Sequence, residues 1–208
     1  MPLTFSDPLR DTIRTRLESF PRYVSQRDDL RRAAVCLALT DMPDGGAGLV
    51  LTFRAARMSS HSNQFALPGG RIDPGETEVE AARREMDEEL GYLLPEESLL
   101  GLLDDYETRS GYIITPVVFW AEPGISGGFV PNPGEVAKVF TVSLGELTDP
   151  ELLSFVTIPE SDRPVIRISL VESYIHAPTA ALMHQLGELV CGRETRVNDY
   201  EEPVFAWR

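Results

Sequence analysis

The sequence predicts an α/β or α+β fold built on a mixed β-sheet, and three observations carry that prediction. Short apolar runs suited to buried strands alternate irregularly with segments of 3.6-residue apolar periodicity, so neither an all-helical nor an all-strand class fits. The 208 residues are 42% hydrophobic and 25% charged, ordinary globular values with enough chain to bury a real core. No internal repeat, low-complexity tract or long linker divides the chain. Residues 1–32 are therefore expected to supply an N-terminal helix and lead-in to one domain over 33–208.

In chain order, Ser6-Asp7-Pro8 has the form of a helix start. Leu9, Ile13 and Leu17 follow at spacing four and predict an amphipathic helix over 7–19, which Pro21 ends. A polar link through 25–29 leads to the apolar run 33–40, the pattern of a buried strand. Asp44-Gly45-Gly46 supplies a turn, and 49–54 reads as the returning strand of a hairpin. A helix is expected over 77–90. Strands are expected at 99–106, 113–120 and 137–142, separated by turns such as Pro131-Asn132-Pro133-Gly134. The last helix, 179–190, carries Leu182, Leu186 and Leu189 at helical spacing.

With 19 Lys and Arg against 33 Asp and Glu, the formal net charge is −14. Such a surface repels phosphate backbones, which excludes a general nucleic-acid binder. A small phosphorylated ligand is admitted if a divalent cation or a local arginine cluster offsets the charge. Cys36 and Cys191 sit in apolar contexts and read as two buried, reduced thiols, too few for a zinc site. The first residues lack the basic region and apolar run of a leader, and no stretch approaches the roughly 18 apolar residues of a membrane span. A cytoplasmic protein without membrane association is expected. His176 and His184 read as structural.

The helix at 77–90 separates into two faces at about 100° per residue. Val79, Ala82, Met86 and Leu90 form an apolar stripe that should pack on the sheet. Glu85, Glu88 and Glu89 share an arc of about 100° on its flank, and Arg84 is placed to bond Glu88 across one turn. Like charges this close cost a helix roughly 0.2–0.5 kcal/mol per pair. The helix alone reads either as a solvated acidic face or as a site for hard divalent cations, which take several oxygen ligands.

The preceding loop, Leu67-Pro68-Gly69-Gly70-Arg71-Ile72-Asp73-Pro74-Gly75-Glu76, favours the second reading. Adjacent glycines let backbone approach a ligand or metal, and the following helix N-terminus attracts phosphate. Gly70, Glu76, Arg84-Glu85-Met86, Glu88-Glu89 and Gly91 stand in the spacing of the Nudix box, and the segment resembles that signature at every charged and glycine position. Tyr92 stands where an aliphatic residue is usual. A chance match is on the order of 10⁻⁹ per window.

The resemblance implies a Nudix fold, a mixed sheet sandwiched between helices, and metal-dependent hydrolysis of a nucleoside diphosphate joined to another moiety. It implies Mg²⁺ or Mn²⁺ as cofactor, with Glu85 and Glu89 as leading ligands and the Gly69 carbonyl as an extra one. Glu88 is implied as a further ligand or as a base acting through water. Glu76 and Arg84 are implied to support the loop and helix at the catalytic centre. Glu135, in the proline-rich turn, reads either as an additional metal ligand or general base or as a simple turn carboxylate. Homodimers are frequent in the superfamily, so self-association is one expectation.

Sequence outside the box points to a substrate. Leu51-Thr52-Phe53-Arg54-Ala55, His61, Gln64 and Pro68-Gly69-Gly70 upstream resemble the coenzyme A pyrophosphatase branch, as do residues 111–118 and 131–140 downstream. That branch usually has Arg, Gly and Phe where this chain has Ser59, Asn63 and Leu67. The implied substrate is coenzyme A or an acyl derivative, cleaved to 3′,5′-ADP and (acyl-)4′-phosphopantetheine. Arg54, Arg57, His61 and Gln64 are the implied substrate-binding residues, although Arg57 and His61 read equally as exposed side chains of a polar segment. The alternatives are hydrolysis of ADP-ribose or another nucleoside diphosphate derivative, and a non-catalytic ligand-sensing module, which has no need of Glu85, Glu88 and Glu89 together.

Overall fold

The computed structural model describes residues 3–55 and 64–206. The chain runs through α1 (Asp7–Ser19), β1 (Arg31–Asp41), β2 (Ala47–Arg54), β3 (Phe65–Ala66), β4 (Gly69–Arg71) and α2 (Glu78–Leu90). It continues through β5 (Leu99–Leu102), β6 (Tyr106–Glu107), β7 (Tyr112–Trp120), β8 (Val136–Ser143), β9 (Leu153–Ile158), β10 (Ser161–Leu170), β11 (Ser173–His176) and α3 (Thr179–Val190).

Strand β1 organises the main sheet. It forms a hairpin with β2 from Asp41 opposite Ala47 to Leu39 opposite Leu49. The two strands then part, and β4 takes the vacated edge of β1, with Ala33 opposite Arg71 and Val35 opposite Gly69. The Cys36 N–H bridges the gap to the Pro68 carbonyl at 2.7 Å. On its other edge β1 runs parallel to β7, from Arg31 opposite Tyr112 to Leu39 opposite Trp120. The remaining pairs, β7 with β5 and β6 and β2 with β3 and β8, are antiparallel, so the sheet is mixed.

Alternation along β1 assigns its side chains to two cores. Ala34, Cys36 and Ala38 meet Ala81, Ala82, Met86 and Leu90 of α2 on one face. Leu37 and Leu39 join α1, α3 and the second sheet on the other, through Ile13, Leu17, Leu182, Leu186, Ile166 and Ile168. Small residues let α2 approach β1 closely, while branched and long ones fill the thicker layer. The sheet is thus sandwiched between helices, and all three helices lie where the periodicity put them.

Three expectations need correction. The 99–106 strand is interrupted: β5 ends at Leu102, and Asp104 and Asp105 turn inward, fully buried, before β6 begins. Their carboxylates accept from the Tyr23 and Ser25 N–H groups and pair with Arg196 and Arg22, a reward for leaving the ladder that the apolar pattern does not reveal. The sheet β9–β10–β11 has no counterpart among the expected strands. Pro164 lies inside β10 at a register shift, and the β10–β11 turn places Val171 and Glu172 at φ 51° and 56° without a glycine or asparagine, so the usual strand and hairpin signals are missing. Finally, Cys36 is buried but Cys191 is exposed, because it caps the C-terminus of α3 instead of sitting on its apolar face. Among the described residues, no helix is long and apolar enough to cross a membrane.

Candidate active site

The position of the carboxylates is set by how α2 is anchored. The Thr77 hydroxyl accepts the Glu80 N–H at 3.2 Å, and the Glu80 carboxylate accepts the Thr77 N–H at 2.8 Å, a reciprocal cap. At the other end Gly91 adopts φ 67°, and its N–H returns to the Asp87 carbonyl. Tyr92, where an aliphatic residue is usual, packs its ring edge-on to Phe129 with centroids 6.4 Å apart. With Ala82, Met86 and Leu90 buried, the rotation of α2 is fixed. Glu85 and Glu89 then face the Gly69-Gly70 edge of β4: a Cβ on Gly70 would lie 2.2 Å from Glu85 Oε1, and the Gly69 N–H reaches Glu89 Oε1 at 3.5 Å.

Arg84 ties the loop to the helix. Its guanidinium bonds both oxygens of Glu76 at 2.9 and 3.1 Å, Glu85 Oε1 at 2.8 Å, Glu88 Oε2 at 3.1 Å and the Arg71 carbonyl at 2.9 Å. Glu76 in turn accepts the Asp73 N–H at 3.0 Å, which closes the loop onto itself. This planar fork satisfies three carboxylates and a carbonyl at once, which a lysine could not reproduce.

The three helix carboxylates occupy different environments. The Glu88 side chain is 55% exposed, that of Glu85 13% and that of Glu89 2%. Burial pushes the Glu89 carboxyl up to about 7, against the pull of Arg54 and the Gly69 N–H. Burial also raises Glu85, partly offset by Arg84 and reinforced by the charges of Glu88 and Glu135. The charge of Glu135 adds a smaller upward push on both buried carboxyls, and the Asn132 side-chain amide donates to its Oε1 at 3.2 Å. Arg54 Nη1 stands 3.7 Å from Glu89 Oε1, yet among the described residues Arg54 Nε and Glu89 Oε2 are both buried without a hydrogen-bond partner. Two such polar atoms side by side suit a cation at the carboxylate and an anion at the guanidinium.

That spot opens into a cavity of about 280 Å³ on the α3 side of the sheet. Arg54, Gln64, Gly69 and Gly70 line it beside the carboxylates, Phe65, Leu67, Ile114 and Leu182 give it apolar walls, and the β4–β1–β7 register leads from Gly69 to Arg71 and Tyr112 at the far end; Thr108, Ser110 and Glu202 also line it. Arg57, His61, Ser59 and Asn63 lie outside the described residues. Among the described residues, no three His, Cys, Asp or Glu side chains are gathered as a ready-made metal cluster, since Arg84 holds Glu85 and Glu88 while Arg54 faces Glu89. The donor set nevertheless suits a hard divalent cation: anionic oxygens, one of them buried and unbonded, beside glycine backbone that carries no side chain.

Sequence reasoning named Arg54, Gln64 and Gly69 at the near end and none of Arg71, Tyr112 or Glu202 at the far end. Arg71 and Tyr112 sit inside segments that carried the family resemblance, but only the β4–β1–β7 pairing brings them to one wall. Glu202 carried no signal in the sequence.

A family model described as the NUDIX domain matches residues 29–161. Nudix hydrolase NudL of Photorhabdus laumondii is 34% identical over 166 residues, covering 78% of this chain and 87% of the relative. Nudix hydrolase 3 of Caenorhabditis elegans is 35% identical over 129 residues, covering 61% of this chain and 53% of the relative, so the chain spans about half of that protein's length. Among solved structures, a Nudix hydrolase from M. smegmatis, RenU, aligns at 31% identity and TM-score 0.44 over 56% of this chain and 72% of its own.

Proposed function

This chain belongs to the Nudix hydrolase family, and on that footing we propose that it hydrolyses the diphosphate of coenzyme A or an acyl-coenzyme A with Mg²⁺ or Mn²⁺. Water adds across the phosphoanhydride, one bridging P–O bond breaks, and the products are 3′,5′-ADP and 4′-phosphopantetheine or its acyl form. The observation that carries the reading is the pair of buried atoms without a partner among the described residues, Glu89 Oε2 and Nε of Arg54, the arginine that lines the cavity. A cation at the carboxylate and a diphosphate oxygen at the guanidinium satisfy both atoms together. The coenzyme A assignment rests on the sequence around Arg54 and on residues 111–118 and 131–140.

Glu85 and Glu89, with Glu88 and the Gly69 carbonyl, are the residues we assign to the cation. When bound, the cation supplies charge that neutralises the diphosphate oxygens and acidifies the attacking water. Arg84 acts through others: it positions Glu85 and Glu88 and fixes the loop by way of Glu76. Arg54 orients the diphosphate, and Gln64 lies beside it at the same end of the cavity. Glu135, with Oε1 held by Asn132, offers Oε2 as the acceptor for the proton that the water gives up. The substrate roles of Arg57 and His61 are proposed on the resemblance alone.

Product analysis after incubation with coenzyme A and with ADP-ribose, each with Mg²⁺ or Mn²⁺, tests this reading. Coenzyme A should yield 3′,5′-ADP, and Glu89→Gln should slow turnover by about 100-fold or more. Turnover of ADP-ribose alone would keep the hydrolase and reject coenzyme A. Turnover of neither, with nucleotide still bound, would favour a ligand-sensing module.

A further inference from the structure

Arg31 and Arg71 converge on one tyrosine. The Arg31 guanidinium lies 4.1 Å and that of Arg71 5.6 Å from the Tyr112 ring centroid, and Arg71 Nε donates to the Tyr112 hydroxyl at 3.0 Å. Register explains the meeting, because Arg31 faces Tyr112 across β1 and β7 while Arg71 is held against Ala33 by β4. Both arginines are exposed. Elsewhere in this acidic chain arginines are drawn to carboxylates: Arg22 and Arg32 to Asp105, Arg196 to Asp104, Arg109 and Arg163 to Glu201. Among the described residues, the polar side-chain contacts of Arg31 and Arg71 are the Ser110 carbonyl at 3.4 Å and the Tyr112 hydroxyl, and neither is an anion. Two like charges held on one ring, with most of their ten N–H donors unspent, form a site that an anion would complete.

We propose that Arg71, which lines the far end of the cavity, and Arg31, which reaches it over the Tyr112 ring, form a phosphomonoester subsite that takes a second phosphate on the nucleoside half of the substrate. This rests on the diphosphate-hydrolase reading above and deepens it. Arg71 is two residues along β4 from Gly69, so the subsite lies about 7 Å from the catalytic end, the scale of one sugar ring. A phosphate on the same ribose as the cleaved diphosphate fits that span, whereas one at the distant end of a pantetheine arm does not. The cavity of about 280 Å³ is small, suited to one moiety of a large substrate. Thr108 and Ser110 line the same wall, but the Ser110 hydroxyl donates to Thr108 and the Thr108 hydroxyl to the Tyr112 carbonyl, so the arginines are the donors left for the anion. Glu202 also lines the cavity, but burial pushes its carboxyl up to about 7 and the Arg109 backbone N–H holds it, so near neutral pH it does not oppose the anion with a full charge.

The experiment compares binding of 3′,5′-ADP and of AMP by calorimetry in the absence of divalent metal, for wild type, Arg31→Gln and Arg31→Gln/Arg71→Gln. These ligands differ only in the second phosphate. Wild type should prefer 3′,5′-ADP by about 10- to 100-fold, the value of one or two charge-assisted bonds, and the preference should collapse toward one in the double variant. Arg31→Gln, at an exposed position, is the folded comparison should the double variant not fold, and it should lose part of the preference. Equal affinity of wild type for the two nucleotides, or a preference that survives the substitutions, would overturn the subsite. Inorganic phosphate is the control for a free anion: if millimolar phosphate alone binds as tightly as 3′,5′-ADP, the site serves phosphate and not a nucleotide. A clear nucleotide preference in a protein that does not cleave coenzyme A would support the subsite while overturning the substrate assignment.

Discussion

Gly70 shows how much chemistry a missing side chain controls. The carboxylate of Glu85 occupies the space a Cβ would need, with 2.2 Å between that position and Oε1. The obstacle is the far end of a flexible side chain, so Gly70→Ala should fold normally and yet push Glu85 aside. Its expected signature is a Mg²⁺ requirement raised by about 10- to 100-fold, read from activity against metal concentration, with little change in thermal unfolding. An unchanged metal requirement would remove Glu85 from the ligand set. At this scale the sequence was informative wherever the residues concerned are neighbours in the chain. Residues 70–91 contain the whole carboxylate signature, and α-helical geometry alone places its members on one flank. It did not distinguish their environments: Glu88 is open to solvent while Glu89 is sealed between α2 and β4, because burial depends on what the rest of the chain packs against each.

At the level of elements, α2 carries the site only while its ends hold. Thr77→Ala removes the hydroxyl of the reciprocal cap and leaves the Glu80 N–H without its partner, a loss of about 1 kcal/mol in urea unfolding. A change below a few tenths of a kcal/mol would mean that water replaces the cap fully. The helices and the β1–β2 hairpin were legible because each has a local signal: periodicity, caps, or glycine in the turn. Strands β9 to β11 were not. Their faces alternate only weakly in burial, Pro164 interrupts one of them, and the Val171-Glu172 turn uses positive φ without the residues that advertise it. The stretch 99–106 failed for the opposite reason, since its apolar run looked continuous while buried ion pairs of Asp104 and Asp105 with Arg196 and Arg22 pulled the chain out of the ladder.

Across the whole molecule, the second sheet docks the C-terminal segment against the cavity. The Glu201 N–H reaches the Pro164 carbonyl at 2.9 Å, and Arg109 and Arg163 grip the Glu201 carboxylate at 2.6 and 3.1 Å. Burial raises Glu201, but the bonds from Arg109, Ser161 and Arg163 outweigh it and bring the carboxyl down to about 2. Its neighbour Glu202 goes the other way, pushed up to about 7 by burial. Because Glu202 binds its proton more tightly folded than unfolded, stability falls as pH rises from the unfolded carboxyl's range through about 7. Glu202→Gln, which stays neutral, should therefore gain on wild type by up to about 3 kcal/mol between pH 5 and pH 8 in urea unfolding. A constant difference across that range would mean that Glu202 ionises normally.

The sequence by itself determined the mixed α and β architecture, the carboxylate-bearing helix and the family, because these rest on periodicity and on spacing within a few turns of chain. Tertiary structure alone decided which carboxylate is buried, where the cavity runs and which residues line its far end. Arg31, Arg71 and Tyr112 meet through strand register, and Glu202 arrives by docking of the C-terminal segment. Contacts such as Arg71 with Tyr112, 41 positions apart, and Arg109 with Glu201, 92 apart, leave no periodic trace in a single chain, since what selects them is the packing of surfaces and not the order of residues.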